Sequence, residues 1–379
     1  MSIAYMDFAA TTPVDERVAA VVMRYMREEF GNAGSRTHSF GVSARNAVEL
    51  ARRQIAEVVD GSEDEVIFTS GATESNNLAI LGLREFAEVS NHRHIIATEI
   101  EHKAVLEPLE FLEGQGFDVT WVPVDDTGLV SVEAVRAALR IDTVLVSVMH
   151  VNNETGVIQP LRQIAQVLTD HPAYFHVDAA QGFGKDIDRL RDERIDLISI
   201  SGHKIYGPKG VGALVARKRN GRERPPLRPL MFGGGQERGL RPGTQPVPLI
   251  AGLGEAARLA LADHSSRMNA IRRIEGEVLR FIDEADGVVN GIRSESLPHI
   301  INASFRGLDS EAFIVAMKGL VAISNGAACS SHAYERSHVL TAMNLEPWRI
   351  GNAVRFSFSH ETISPDIEEM LRVVESVRF

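Results

Sequence analysis

Four short stretches of this 379-residue chain carry side chains whose type and spacing can do chemistry. In Ser70-Gly71-Ala72-Thr73-Glu74-Ser75-Asn76-Asn77 a glycine precedes small hydroxyl residues where a helix should begin. Free N–H groups and hydroxyls at such a start converge on an anion such as a phosphate. The same Thr73 and Ser75 also fit an ordinary helix cap. Asp178, followed by Ala179-Ala180-Gln181, puts a carboxylate at the end of an apolar run, where it needs a cationic or donor partner. A protonated heterocyclic nitrogen meets that need, and so does a structural arginine. Lys204 lies in Gly202-His203-Lys204-Ile205-Tyr206-Gly207-Pro208-Lys209-Gly210. A lysine in that setting can form a Schiff base or neutralise a phosphate. The fourth stretch is Ser324-Asn325-Gly326-Ala327-Ala328-Cys329-Ser330-Ser331-His332, which holds the only cysteine. Small polar neighbours without periodicity predict an exposed, mobile loop for Cys329, the alternative being a buried free thiol.

These stretches need elements to hold them together. Segments 14–30 and 42–59 read as helices. Short apolar runs follow at 66–69, 95–98, 118–122, 143–150, 174–177, 197–201 and 211–216, most without strict alternation. Such runs predict strands covered on both faces, as in a mostly parallel sheet with helices on either side. Helical patterns fit between them at 74–89, 103–113 and 131–139, and a long one spans 247–284. Strand patterns at 300–305 and 353–357 and helical ones at 310–318 and 365–376 complete the chain. The expected fold is α/β, with residues 15–248 forming a large domain. Residues 1–14 and 249–379 form a smaller α+β domain that carries Cys329. Ligands in open α/β sheets bind beyond the carboxyl ends of the strands, where the first three stretches fall.

Composition narrows the options. The net charge of −11 repels phosphate backbones, so no direct nucleic-acid binding is expected. One cysteine excludes an intramolecular disulfide framework and a cysteine-cluster metal site, and no metal is predicted. No apolar stretch of membrane-spanning length occurs, so a cytoplasmic location without membrane contact is expected. Neither a GxxxxGK[ST] loop nor a GxGxxG after the first strand is present, which weakens nucleotide readings. A phosphate cradle, an acid and a lysine at strand ends together match the needs of pyridoxal 5'-phosphate. Its ring nitrogen needs a carboxylate to stay protonated, and its aldehyde needs an amine.

The chain also resembles a family. The matching pieces are Tyr5-Met6-Asp7-Phe8-Ala9-Ala10-Thr11-Thr12-Pro13, the 70–77 stretch, Glu101-His102-Lys103, His150-Val151-Asn152-Asn153-Glu154-Thr155-Gly156, Asp178-Ala179-Ala180-Gln181, Ser201-Gly202-His203-Lys204 and Gly233-Gly234-Gly235-Gln236-Glu237-Arg238. In this order they resemble the NifS/IscS-type cysteine desulfurases, fold-type I, class V pyridoxal phosphate enzymes. The resemblance implies that Lys204 holds the cofactor and shuttles protons, that Asp178 pairs with its ring nitrogen, and that His102 stacks on the ring and acts as acid or base. It further implies that Gln181 and Asn153 bind the phenolate oxygen or orient the ring. Ala72, Thr73, Ser201 and His203 would cradle the phosphate, with Thr244 reaching it from the second subunit of a homodimer.

Cys329 separates sulfur removal from transamination. A loop thiolate attacking the sulfur of bound L-cysteine would leave alanine and a persulfide on Cys329, destined for an acceptor protein. Arg355, in Ala353-Val354-Arg355-Phe356-Ser357, can grip a carboxylate with both arms of its guanidinium, with a surface cross-strand charge as the alternative. Its position 26 residues after Cys329 resembles the long-loop desulfurases. Two departures stand out: Ser359-His360-Glu361, where the family commonly has Gly-Arg, and an uncommon run after Cys329. These resemble the desulfurases that serve DNA phosphorothioation. Iron–sulfur assembly and tRNA thiolation proteins remain equally open as acceptors. Alternatives are a class V aminotransferase, a selenocysteine lyase and a sulfur-relay docking subunit.

Overall fold

The computed structural model describes residues 3–326 and 336–378. Its first strand, β1 (Ala4–Tyr5), joins a small sheet described below. Seven strands follow: β2 (Val66–Thr69), β3 (His94–Thr98), β4 (Asp118–Val122), β5 (Thr143–Ser147), β6 (Tyr174–Asp178), β7 (Leu197–Ser201) and β8 (Gly212–Ala216). They form one sheet in the order β2-β8-β7-β6-β5-β3-β4. Strand β8 is antiparallel to β2 and β7, and every other pair is parallel. The carboxyl ends of β2, β3, β5, β6 and β7 therefore share one edge. All residues of β2, β3, β5, β7 and β8 are buried, which accounts for apolar runs without alternation.

Successive side chains of β2 enter two separate cores. Val66 and Phe68 join a cluster formed with the helices Ser39–Val58 and Val247–Ala262, while Ile67 packs with Leu78, Ala79 and Leu109 on the opposite face. The two helices of the first cluster touch closely at Gly254, where a Cβ would lie 2.5 Å from the Ala51 Cα. Gly254 is glycine because only hydrogen fits there.

The C-terminal part builds a second core. Strands β9 (Gly287–Asn290), β10 (Ile300–Phe305) and β12 (Ala353–Ser357) form an antiparallel sheet, and β11 (Val321–Ala322) pairs in parallel with β1. Phe281, Phe305, Phe313 and Phe356 contact one another across it, with ring centroids 5.3 to 6.4 Å apart. The N-terminal segment spans both cores. Past β1, Asp7 bridges to Ser357, and Thr12 donates through its N and its Oγ1 to the carbonyl of His203, each at 3.0 Å.

Three elements differ from the periodicity reading. The helix expected over 74–89 is two, Ala72–Leu81 and Arg84–Ser90, because Arg228 N donates to the Gly82 carbonyl and its own carbonyl abuts Gly82. The helix expected over 247–284 breaks at Asp263, whose carboxylate accepts from Arg17 at 2.7 Å and Arg267 at 3.4 Å. Strand β5 stops at Ser147, three residues early, and the chain turns out to form the loop holding Asn152 and Asn153.

Candidate active site

At the shared edge opens a cavity of about 560 Å³. Ten of the residues selected from sequence line it: Ala72, Thr73, His102, Asn153, Asp178, Gln181, Ser201, His203, Lys204 and Arg355. Thr244 is exposed and does not line it, and Cys329 lies outside the described residues.

Lys204 ends a 3₁₀ turn directly after β7, and its Nζ donates to the carbonyls of Ala9 and Ala10, the latter at 2.9 Å. Asp178 closes β6. Its Oδ1 accepts from the Ala180 N at 2.9 Å and its Oδ2 from the Asn76 Nδ2 at 2.7 Å. Both bonds fix the carboxylate plane without supplying a cation. Gln181 donates to the Ala9 carbonyl at 2.9 Å, and its Oε1 is buried with no partner among the described residues. An acceptor so placed is expected to meet a donor from whatever occupies the cavity.

His102 caps the helix Lys103–Glu113, its Nδ1 accepting from the Ala104 N at 3.0 Å. That bond puts the ring proton on Nε2. Burial, assisted by Lys204 and opposed by Asp178, lowers its pKa and keeps the ring neutral. His203 bonds Thr11 Oγ1 at 3.1 Å, and its pKa is driven down to about 4 by burial and the positive charges of Lys204, Lys209 and Lys185. At neutral pH it is therefore an uncharged donor or acceptor. The start of the helix Ala72–Leu81 faces the same wall, with Ser201 Oγ 3.7 Å from where a Gly71 Cβ would sit.

Arg355 is 1% exposed. Its Nη1 donates to the Asn153 carbonyl at 2.9 Å, and its Nη2 donates to Asp7 Oδ1 at 2.7 Å and Ser324 Oγ at 2.9 Å. The surface-charge alternative is thereby excluded. Asp7, Ser324 and Asn76 had not been singled out individually as partners. All three lie in stretches quoted above, but only tertiary pairing brings Asn76 to Asp178 and Asp7 and Ser324 to Arg355.

Glu101, beside His102, is wholly buried. Its Oε1 accepts from Thr98 Oγ1 at 2.6 Å and Met149 N at 2.7 Å, while Oε2 has no partner. Burial raises its pKa to about 8 against those two bonds. The folded chain thus keeps a proton that the unfolded chain loses above its ordinary value near 4.5. Stability from this group is present at low pH, falls as pH rises from about 4.5 to about 8, and is flat beyond. Glu101→Gln should remove that fall. Urea midpoints between pH 5 and 9 should show the variant gaining roughly 2–4 kcal/mol on wild type.

The chemistry of this donor set suits pyridoxal phosphate: an amine, a carboxylate, a neutral histidine, and a helix start with hydroxyls around one cavity. The class V aminotransferase model matches residues 4–370. A cysteine desulfurase IscS of Serratia proteamaculans is 43% identical over 373 residues, covering 98% of this chain and 91% of the relative. Among solved structures, DndA from Streptomyces lividans is 51% identical with a TM-score of 0.82, covering 95% of this chain and 99% of that one. A structure described as SspA in complex with cysteine is 38% identical with a TM-score of 0.83, covering 95% and 100%. The chain belongs to the class V aminotransferase family, with the fold-type I architecture expected from its sequence. Within that family it is a cysteine desulfurase, dependent on pyridoxal phosphate.

No helix among the described residues is long and apolar enough to cross a membrane.

Proposed function

We propose that the cavity residues convert L-cysteine to L-alanine, leaving the sulfur as a persulfide on Cys329 for an acceptor protein. The carrying observation is the gathering of Lys204, Asp178 and Arg355 on one cavity. When bound, pyridoxal phosphate supplies an electron sink for the pair released at an amino-acid Cα. Lys204 Nζ provides the covalent hold and moves the proton at the substrate Cα. Asp178, already fixed by Asn76 and Ala180, holds a proton on the ring nitrogen. His102 would stack on the ring with its Nε2–H available, and Gln181 and Asn153 would orient the ring. Ala72, Thr73, Ser201 and His203 hold the phosphate.

Arg355 binds the substrate carboxylate while Asp7 and Ser324 keep its guanidinium in place. The Cys329 thiolate attacks the substrate sulfur. An S–S bond forms as the C–S bond breaks, the carbon keeps the bonding pair, and a proton completes alanine. Thr244 reaches the phosphate of a second copy, which makes the working unit a homodimer. Exposed Met231 and Phe232, near Thr244 in sequence, support an interface there. The acceptor is a protein of iron–sulfur assembly, tRNA thiolation or DNA phosphorothioation.

Incubation with L-cysteine should yield alanine and add the mass of one sulfur atom to the Cys329 peptide. With L-selenocysteine as substrate, selenide release without any mass gain at Cys329 would instead favour a selenocysteine lyase. Arg355→Lys should raise KM for L-cysteine roughly 10- to 100-fold while retaining the cofactor absorbance, since an ammonium cannot reproduce the planar fork. An unchanged KM would remove Arg355 from the substrate site.

A further inference from the structure

A second, much smaller cavity lies between the two cores. It measures about 30 Å³, room for one water or one halide ion. Its polar lining is Lys185, Tyr206, His264, Arg267, His299 and His360, and the rest is apolar or glycine. No carboxylate lines it. His360 belongs to the Ser359-His360-Glu361 departure, which the proposed desulfuration leaves without a role.

Several nitrogens here have nothing to bind. Among the described residues, both ring nitrogens of His299, which is 3% exposed, lack hydrogen-bond partners, as do His360 Nδ1 and Arg267 Nε. Buried donors left unsatisfied are costly, so the space is expected to hold a ligand. The charge around it selects the sign. Arg267 is shared with Asp15 and Asp263, at 3.2 and 3.4 Å, and Arg17 competes for both carboxylates. Glu361 lies 3.7 Å from His360 Nε2, pointing away from the unpartnered Nδ1. Asp186 is engaged by His150 and Arg189. Lys185 has no carboxylate within salt-bridge distance among the described residues, and His264 spends its Nε2 on the Lys185 carbonyl at 3.0 Å. Among the described lining residues Lys185 and Arg267 are the charged groups, and no carboxylate lines the space itself.

We propose that this cavity binds one small monovalent anion of the halide class, held by His299 and His360 beside Lys185 and Arg267. The electrostatics agree. Burial pushes His299 well below its usual range, with Lys185 and Arg293 adding to the effect. His360 falls to about 4, through burial and Arg267 against Asp15 and Asp263. Lys185 falls to about 7, through burial and Lys204. An anion supplies the missing negative charge and favours the protonated form of all three, so its affinity rises as pH falls. Because Lys185 also acts on Lys204 and His203, the anion offsets part of the positive field on the larger cavity.

The test uses the holoenzyme with chloride replaced stepwise by gluconate at constant ionic strength. A saturable rise of roughly 2–4 °C in Tm with chloride is expected. Crystals grown in bromide should show an anomalous peak between His299 and His360. His360→Phe keeps the edge-to-face ring contact with Tyr206, 5.0 Å between centroids, and should lose the chloride response. Equal melting in both salts overturns the proposal, as does a cavity holding only water in bromide crystals. A response that survives His360→Phe without anomalous density there also overturns it. Should His360→Phe fail to fold, the wild-type anomalous map decides alone.

Discussion

Lys204→Ala is expected to abolish turnover, by roughly a thousandfold or more, and to leave the cofactor dialysable. Lys204 Nζ is the amine that follows β7 in the cavity also lined by Asp178, and it is held by the Ala9 and Ala10 carbonyls. Removing it takes away both the covalent anchor and the group that carries the Cα proton. Thr12, which ties the N-terminal segment to the His203 carbonyl, is untouched, so the fold should persist. Absorbance after gel filtration reports the first loss and alanine formation the second. A variant that keeps its visible band through filtration and still forms alanine at the wild-type rate would remove Lys204 from both roles.

Cys329→Ser is expected to lose alanine and sulfur formation by a comparable factor with the cofactor spectrum intact. A hydroxyl is hardly deprotonated where a thiol is, and oxygen cannot carry the transferred sulfur as a persulfide. Lys204 and Asp178 are unaffected, so binding of L-cysteine should still perturb the spectrum. That combination separates this variant from Lys204→Ala. Normal turnover by Cys329→Ser would return the reading to an aminotransferase or lyase in which the thiol is incidental.

The central sheet was legible because strands buried on both faces have nothing to alternate with. Runs at 66–69 and 197–201 match β2 and β7 residue for residue. Asp178, Lys204 and the 70–77 stretch were legible for a related reason: each follows such a run, and the parallel arrangement puts those ends on one edge. Helix breaks at Gly82 and Asp263 were not, and the atoms that meet the chain there come from Arg228 and Arg17, far away in sequence. The Arg355 partners escaped for the same reason, since 348 residues separate Asp7 from Arg355. Periodicity reports what a segment buries, and it is silent on which distant atom arrives to meet it.

The path of the first dozen residues bears on how the molecule is made. The large sheet has all its strands once residue 216 has been synthesised, yet the segment that reaches Lys204, Gln181 and Arg355 is moored to β11 and Ser357, near the other end of the chain. A nascent polypeptide on the ribosome therefore lacks the finished vitamin B6 pocket until residues 321–357 have been made. Coenzyme retention should therefore require both the 4–12 segment and the strands at 321–322 and 353–357 that moor it.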